Sequence, residues 1–523
     1  MRKLSRRSFL IGLAGAASAV ASWLSFPRLR ELFPGLYNRL LQKPGNLPSP
    51  SLRLYSPKDL NQSGQFDVCI IGSGPAGSVL AMSLAHNGSK ILILESGLDL
   101  SHSDPRVQKL DVYRSSGPVT YPVVATRLRA LGGASNLWTG RCSRLHPLDF
   151  EKNAYTPDDA HWPITYDQLE PYYERAEKTL RVRGGHLSNY HPPRKNALPL
   201  PPDTDIAALK SLMRKAGITV DYSSTSTGRF GKGPVKTARD LLPDISISPN
   251  ARIISGVTVT ELVPDPDGRI VNVVVKTLDG ESRQIRARVY VIACGALEST
   301  RLLLLSRSQT FPEGIGNRYN LVGSCFTEHP NLIFSGKITY DKPPPHFQLG
   351  RSHQFYEQFK KQGMGSVILA FYWEPKTPGI LKIAATLEMR PMDKNLVSLA
   401  SDLKDYFGSP GLDVSLSFSD DDIRTMDHAR SLVKSIYSEL GGGDVQEEPM
   451  SWSHHHIGTC RMGDDPKRSV VDRNLRVHDS PNLYVASSAV FVTGGAAHPT
   501  LSITALSHRL ADHLIARLRD ENI

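Results

Sequence analysis

The chain has 523 residues, 40% of them hydrophobic and 22% charged, enough to bury a large core in about two interleaved domains. Its net charge of +11 comes from basic residues scattered along the chain rather than gathered in a run, which argues against a nucleic-acid partner and for a solvated basic surface. Five cysteines, at 69, 142, 294, 325 and 460, form neither CxxC nor CxxCH; this argues against an attached c-type haem and, with Cys69 and Cys294 inside predicted buried strands, against a disulfide framework.

In chain order, Ser5-Arg6-Arg7-Ser8-Phe9-Leu10 carries twin arginines ahead of a moderately apolar stretch, Ile11 to Leu24, with Ala19-Val20-Ala21 as a cleavage-type site. The pattern resembles an export signal used by proteins that fold around a cofactor before crossing a membrane, and it predicts a periplasmic protein. Because the stretch is only somewhat shorter than a bilayer span, a retained membrane anchor is the alternative for residues 1–27. Residues 28–65, rich in Pro, Leu and Ser, read as a linker or a surface strap.

Phe66-Asp67-Val68-Cys69-Ile70-Ile71 reads as a buried strand, and Gly72-Ser73-Gly74-Pro75-Ala76-Gly77 follows at once. A helix is predicted from about Pro75 to Ala85, stopped by His86-Asn87-Gly88. Ile91-Leu92-Ile93-Leu94 is the next strand, ending at Glu95. This is a dinucleotide fingerprint in its required setting: glycines for a tight turn, close backbone approach to a pyrophosphate and close helix packing. The helix N-terminus then faces the phosphates, and Glu95, about twenty residues on, is placed for a ribose diol.

Further along, Leu131-Gly132-Gly133-Ala134-Ser135-Asn136-Leu137-Trp138-Thr139-Gly140, followed by Arg141 and Arg144, can pass close to a flat ring or a diphosphate. Val289 to Glu298 is a second strand-to-glycine-to-helix transition. Leu381 to Met389 and Leu412 to Phe418 alternate apolar and polar residues as half-buried strands do, and Asp420 to Leu440 reads as a helix ended by Gly441-Gly442-Gly443. Two glycine-flanked, imidazole-bearing segments close the chain, His455-His456-Ile457-Gly458-Thr459-Cys460 and Gly494-Gly495-Ala496-Ala497-His498-Pro499-Thr500-Leu501, with the strand-like Asn482-Leu483-Tyr484-Val485-Ala486-Ser487-Ser488 between them.

As an ordered set these motifs closely resemble the glucose-methanol-choline (GMC) oxidoreductase family, over nearly the whole chain from Phe66. The resemblance implies an α/β flavoprotein: a discontinuous Rossmann-like FAD domain (66–150, 226–330 and 451–523) with an inserted α+β substrate domain on a mainly antiparallel sheet (151–225 and 331–450). It implies FAD contacts from Gly72, Gly74, Pro75, Ala76, Gly77, Glu95, Gly132, Gly133, Ser135, Asn136, Trp138, Ser487, Ser488, His498, Pro499 and Thr500, and from the backbone of Val259 at the adenine end. Some members bond FAD covalently through a histidine just before the position of Trp138; here that residue is Leu137, so noncovalent FAD is expected. Trp162-Pro163-Ile164-Thr165-Tyr166, running into Leu169-Glu170-Pro171-Tyr172-Tyr173, looks most like the bacterial sugar and polyol dehydrogenases of the family.

Oxidising an alcohol requires removal of the hydroxyl proton while hydride leaves carbon, so the protein must supply a base and a partner for the developing alkoxide. By the resemblance, His455 occupies the first catalytic position and His498 the second, where the sugar dehydrogenases often carry Asn. We expect His455 as base and His498 as hydrogen-bonding partner. A metal site at His454-His455-His456 is disfavoured, because successive side chains on a strand diverge. The sequence thus predicts an exported FAD-dependent dehydrogenase of a small-molecule alcohol, a sugar, polyol or related compound, with a quinone or cytochrome as external electron acceptor. An oxidase using oxygen and a non-redox lyase that retains FAD are the alternatives.

Overall fold

The computed structural model describes residues 52–62, 66–199, 205–227, 237–342, 344–377 and 379–520. The twin-arginine signal, its cleavage site and most of the expected linker lie outside them. Among the described residues no helix is long and apolar enough to cross a membrane.

Three layers position the site. The first is a five-stranded parallel sheet, in the spatial order Leu483–Val485, Ala287–Ile292, Phe66–Ile71, Ile91–Glu95, Ala251–Ser255. Its strands are near-continuous apolar runs, as expected of parallel strands covered on both faces. Val68, Ile70, Leu92, Ile93, Val289 and Val291 are fully buried. Tyr55, in the expected strap, accepts a place at the sheet edge, its N–H donating to Ile253 O at 2.9 Å.

Helix Pro75–His86 packs on the C-terminal helix Pro499–Leu518, which packs in turn on Tyr166–Thr179. Trp162, Ile164, Leu169, Tyr173 and Ala176, in the stretch 151–225 expected on the substrate side, belong to the same core as the parallel sheet. Tyr173 shows why: its ring is buried and its hydroxyl pairs with Ser502 at 2.7 Å.

The second layer is a seven-stranded antiparallel sheet. Along it run Gly443–Glu447, Pro330–Lys337, Ile380–Leu387, Val367–Trp373, Gln348–Ser352 and Asp221–Tyr222, with Ser451–Trp452 also paired to Pro330–Lys337. One face, including Leu332, Phe334, Phe371 and Ile383, packs on Met426, Val433 and Tyr437 of helix Asp420–Glu439 and on Leu209 and Met213 of helix Ala207–Lys215. Alternation along Ile380–Leu387 predicts half burial, but nearly the whole strand is buried, because its second face closes over a cavity rather than facing solvent. A third, small sheet joins Leu396–Lys404, Pro410–Ser415 and Tyr113–Ser116.

Candidate active site

A cavity of about 870 Å³ lies between the two large sheets and runs from the glycine turn after Ile71 to the antiparallel sheet. The turn is shaped for a close-lying ligand. Gly72 has φ +104°, and a Cβ there would stand 2.6 Å from Ala293 O; one at Gly77 would stand 2.0 Å from Gly72 O. At Gly74 the outcome is opposite: no atom lies within 4 Å of an added Cβ, so the backbone at this point faces open space at the start of helix Pro75–His86. Closed behind and open in front, with helical N–H groups aimed outward, these residues fit a dinucleotide pyrophosphate.

Glu95 has a larger task than a ribose contact. Its Oε2 accepts from the backbone N–H and the hydroxyl of Ser73 at 2.9 and 2.7 Å, and its Oε1 accepts from Gly97 N–H at 2.7 Å. Ser73 Oγ in turn accepts from Gly132 N–H at 3.0 Å. One carboxylate therefore ties the fingerprint turn, the strand end and the glycine-rich stretch together while still lining the cavity.

Of the predicted cofactor residues, Gly72, Gly74, Pro75, Ala76, Glu95, Gly133, Ser135, Trp138, Val259, Ser487, Ser488, His498, Pro499 and Thr500 line this one cavity. Gly77, Gly132 and Asn136 stand one step behind its wall. Gly77 packs on the turn, Gly132 on the Arg239 backbone, and Asn136 donates to Leu131 O and Gly133 O at 2.8 Å each, holding the glycine-rich stretch in shape.

The histidines enter from two loops. Ser488 hydroxyl donates to His456 O at 2.5 Å and Gly458 N–H to Ser488 O at 3.1 Å, pinning the first loop to the turn after strand Leu483–Val485. His498 is the N-cap of helix Pro499–Leu518, with its side chain free of any capping bond. The two rings meet edge to face, their centroids 5.0 Å apart. The segment around His454 is irregular rather than the strand expected from sequence, and His454 itself has φ +63°. The rings separate all the same: His456 Nε2 meets Thr126 Oγ1 at 2.9 Å, whereas His455 turns to His329.

His329 is the residue that sequence reading missed. Its Nδ1 lies 2.9 Å from His455 Nδ1, so one nitrogen carries a proton and the other accepts it. His329 Nε2 has no partner among the described residues, so hydrogen bonding on that side does not choose between the two arrangements. A base at His455 requires the one in which His329 Nδ1 accepts, His455 holds its proton on Nδ1, and His455 keeps the Nε2 lone pair. Glu328, fully buried, accepts from the N–H groups of His329 and Ser453 at 2.9 and 3.1 Å and from that of His455. Burial pushes its carboxyl well above the usual range despite these donors. The sequence signal was slight: Glu328-His329-Pro330, a polar pair opening an otherwise apolar strand.

Burial is also the main cause that holds these imidazoles neutral. It pushes His329 down to about 4 and His455 well below the ordinary value, with neighbouring imidazoles adding to the effect. His498 is pushed well below 6.5 by burial, then by Arg351. A neutral imidazole with a fixed tautomer is a competent proton acceptor.

Comparison with known proteins agrees with this geometry. Family models described as GMC oxidoreductase match residues 66–331 and 391–507. The chain belongs to the GMC oxidoreductase family. Proteins of this family bind FAD and oxidise alcohols. Among relatives of this GMC oxidoreductase, 6'''-hydroxyparomomycin C oxidase of Streptomyces lividus is 27% identical, covering 86% of this chain and 92% of its own. The fructose dehydrogenase large subunit of Gluconobacter japonicus is 25% identical, covering 88% and 99%. Aspergillus oryzae formate oxidase, at 19% identity, shares the fold with a TM-score of 0.63 over 88% of this chain and 99% of its own.

Proposed function

We propose that this GMC oxidoreductase is an exported FAD-dependent dehydrogenase that oxidises an alcohol carbon of a sugar, polyol or related compound and passes the electrons to an external acceptor. The observation that carries this is the His455–His498 pair at the end of the dinucleotide-fitted cavity, with His455 Nδ1 2.9 Å from His329 Nδ1. FAD, when bound, supplies the hydride acceptor. The protein supplies the rest. Gly74 and the N-terminus of helix Pro75–His86 hold the diphosphate, and Val259 lines the cavity far along the sequence from the histidines.

His455 Nε2 takes the hydroxyl proton. His498 orients the alcohol oxygen as a hydrogen-bonding partner and stays neutral until then. His498 is buried and His455 half-buried on the cavity wall, so cofactor and substrate filling the cavity would keep water from the proton transfer and strengthen each contact. FAD is held noncovalently, because Leu137, which lines the cavity, has no atom that can bond to it. Acid precipitation is therefore expected to release all of the flavin into the supernatant; flavin retained in the pellet would refute noncovalent binding. The twin-arginine segment supports export to the periplasm, with or without a retained anchor.

The deciding experiment is anaerobic addition of alcohols to the purified holoprotein. Bleaching of the flavin is expected in the wild type and its loss in His455→Ala with FAD still bound. Bleaching that survives in His455→Ala would remove the base from this residue. A quinone should then reoxidise the flavin much faster than air.

A further inference from the structure

The antiparallel sheet places a guanidinium with no carboxylate partner among the described residues directly behind His498. Register aligns Arg351, Ala370, Ala384 and Ile333 across four strands. An added Cβ at Gly350 would stand 2.2 Å from Val220 Cγ1, so position 350 faces the apolar core and Arg351 faces the cavity side, where Ala370 and Ala384 leave room. Arg351 is 2% exposed. Its Nη1 and Nη2 lie 3.4 and 3.5 Å from Nδ1 and Nε2 of His498, and among the described residues its Nε has no partner. Among the same residues the side chain of Arg141, which lines the cavity, donates only to Tyr372 Oη, at 2.9 Å.

Neither arginine pairs with a carboxylate among the described residues. The other deeply buried arginines do: Arg144 with Glu177 at 2.9 Å, Arg129 with Asp111 and Glu298 at 2.8 and 2.9 Å, Arg301 with Asp405 at 2.7 Å. Burying an unpaired cation costs several kcal/mol, and two together cost more because they repel. Arg351 registers that strain, pushed down to about 9 by burial and by Arg141. Lys382, the remaining cation on this face, has Glu448 at 3.5 Å. Asp221, in register beside Arg351 on the next strand, is engaged by Ser188 and His191 instead, which leaves an anion bound in the cavity to balance Arg351 and Arg141.

Given an alcohol-oxidising site as proposed above, we infer that its substrate is a hydroxy acid whose carboxylate is held by Arg351 and Arg141 while His455 and His498 engage the hydroxyl. A carboxylate suits the unpaired, buried Nε edge of Arg351 behind His498, because two oxygens can accept side by side from a guanidinium fork. The same two cations disfavour an ammonium-bearing sugar and leave a neutral polyol with unpaired charge beside it.

The test begins without turnover. The FAD-loaded protein is titrated with acetate and malonate, which it cannot oxidise as alcohols, with acetamide and inorganic phosphate as comparisons, and flavin absorbance is followed. A saturable perturbation by the carboxylates is expected, weaker by about tenfold or more for acetamide and phosphate and weakened about tenfold in Arg351→Gln, with Arg351→Lys intermediate because it keeps the charge and loses the fork. Arg141→Gln, at a more accessible position, gives the same reading if Arg351→Gln fails to fold. Absence of any carboxylate perturbation, or an affinity unchanged from wild type in both Gln variants, would overturn the inference. A second arm compares a sugar acid with its alditol in anaerobic flavin reduction. Half-saturation at lower concentration for the acid supports the hydroxy-acid assignment, and at lower concentration for the alditol overturns it. Should no hydroxy compound reduce the flavin, the alcohol-oxidising function fails, while the titration still decides whether the arginines form a carboxylate site.

Discussion

Replacing His329 by Leu should slow flavin reduction without removing FAD. In the wild type His455 Nδ1 and His329 Nδ1 stand 2.9 Å apart, and a base at His455 requires that His455 donate the shared proton. Leucine removes the acceptor, leaving a buried N–H on His455 with no partner, which costs about 1–3 kcal/mol. His455 escapes that cost by moving its proton to Nε2, where it can no longer act as a base. At about 1.4 kcal/mol per tenfold in rate, flavin reduction should fall roughly 5- to 150-fold. His329→Asn restores an acceptor oxygen on the same side and should recover part of the loss, which a purely packing role for His329 would not produce. The assay is anaerobic stopped-flow reduction at saturating substrate, with the flavin spectrum as the check on bound FAD. A Leu variant within about twofold of wild type, or an Asn variant no better than Leu, would refute the tautomer assignment.

Four further outcomes follow from the geometry. Gly74→Ala should leave the melting temperature of the flavin-free protein unchanged but weaken FAD retention, since its Cβ enters only the open cradle, whereas Gly77→Ala, 2.0 Å from Gly72 O, should lower that melting temperature; the reverse order in a thermal melt would contradict the cradle. Because His455 is held well below 6.5, the flavin-reduction rate should stay level from about pH 8 to about pH 6, and a decline centred near ~6.5, the unperturbed imidazole value, would refute its burial in the working enzyme. Stability follows the same sign: His329, at about 4 when folded, binds fewer protons than the unfolded chain between there and about 6.5, so stability should be lost as pH falls through that window, by on the order of 3 kcal/mol for this group alone, as read by urea melts at stepped pH. Arg144→Met strips Glu177 and Glu170 of a buried partner and should cost about 3–5 kcal/mol, with Arg194 retaining Glu177 and holding the loss toward the lower end; a loss under about 1 kcal/mol in a denaturant melt would show the cluster to be hydrated.

What the sequence by itself determined is everything that contiguous residues can encode. The strand, glycine turn, helix and acid from Phe66 to Glu95 are local, and so their geometry is implied by steric rules alone: only glycine tolerates φ +104° at position 72 with a carbonyl behind it. The two catalytic candidates were legible for the same reason, each carried by a short glycine-bearing loop, and the cavity collects nearly all the residues named from such motifs.

Tertiary structure decided what lies between motifs. His329 is 126 residues from His455 and Arg351 is 147 from His498, and no periodicity along a strand announces that a polar side chain will meet a partner across a domain cleft. Alternation in Ile380–Leu387 showed two faces but not that the second would roof a buried cavity. For the helix Tyr166–Thr179 amphipathicity says which face is buried and not against what; in the folded chain Tyr173 meets Ser502 of the C-terminal helix. Chemistry needs converging side chains, and convergence is a property of sheet register and loop closure, which only the folded chain possesses.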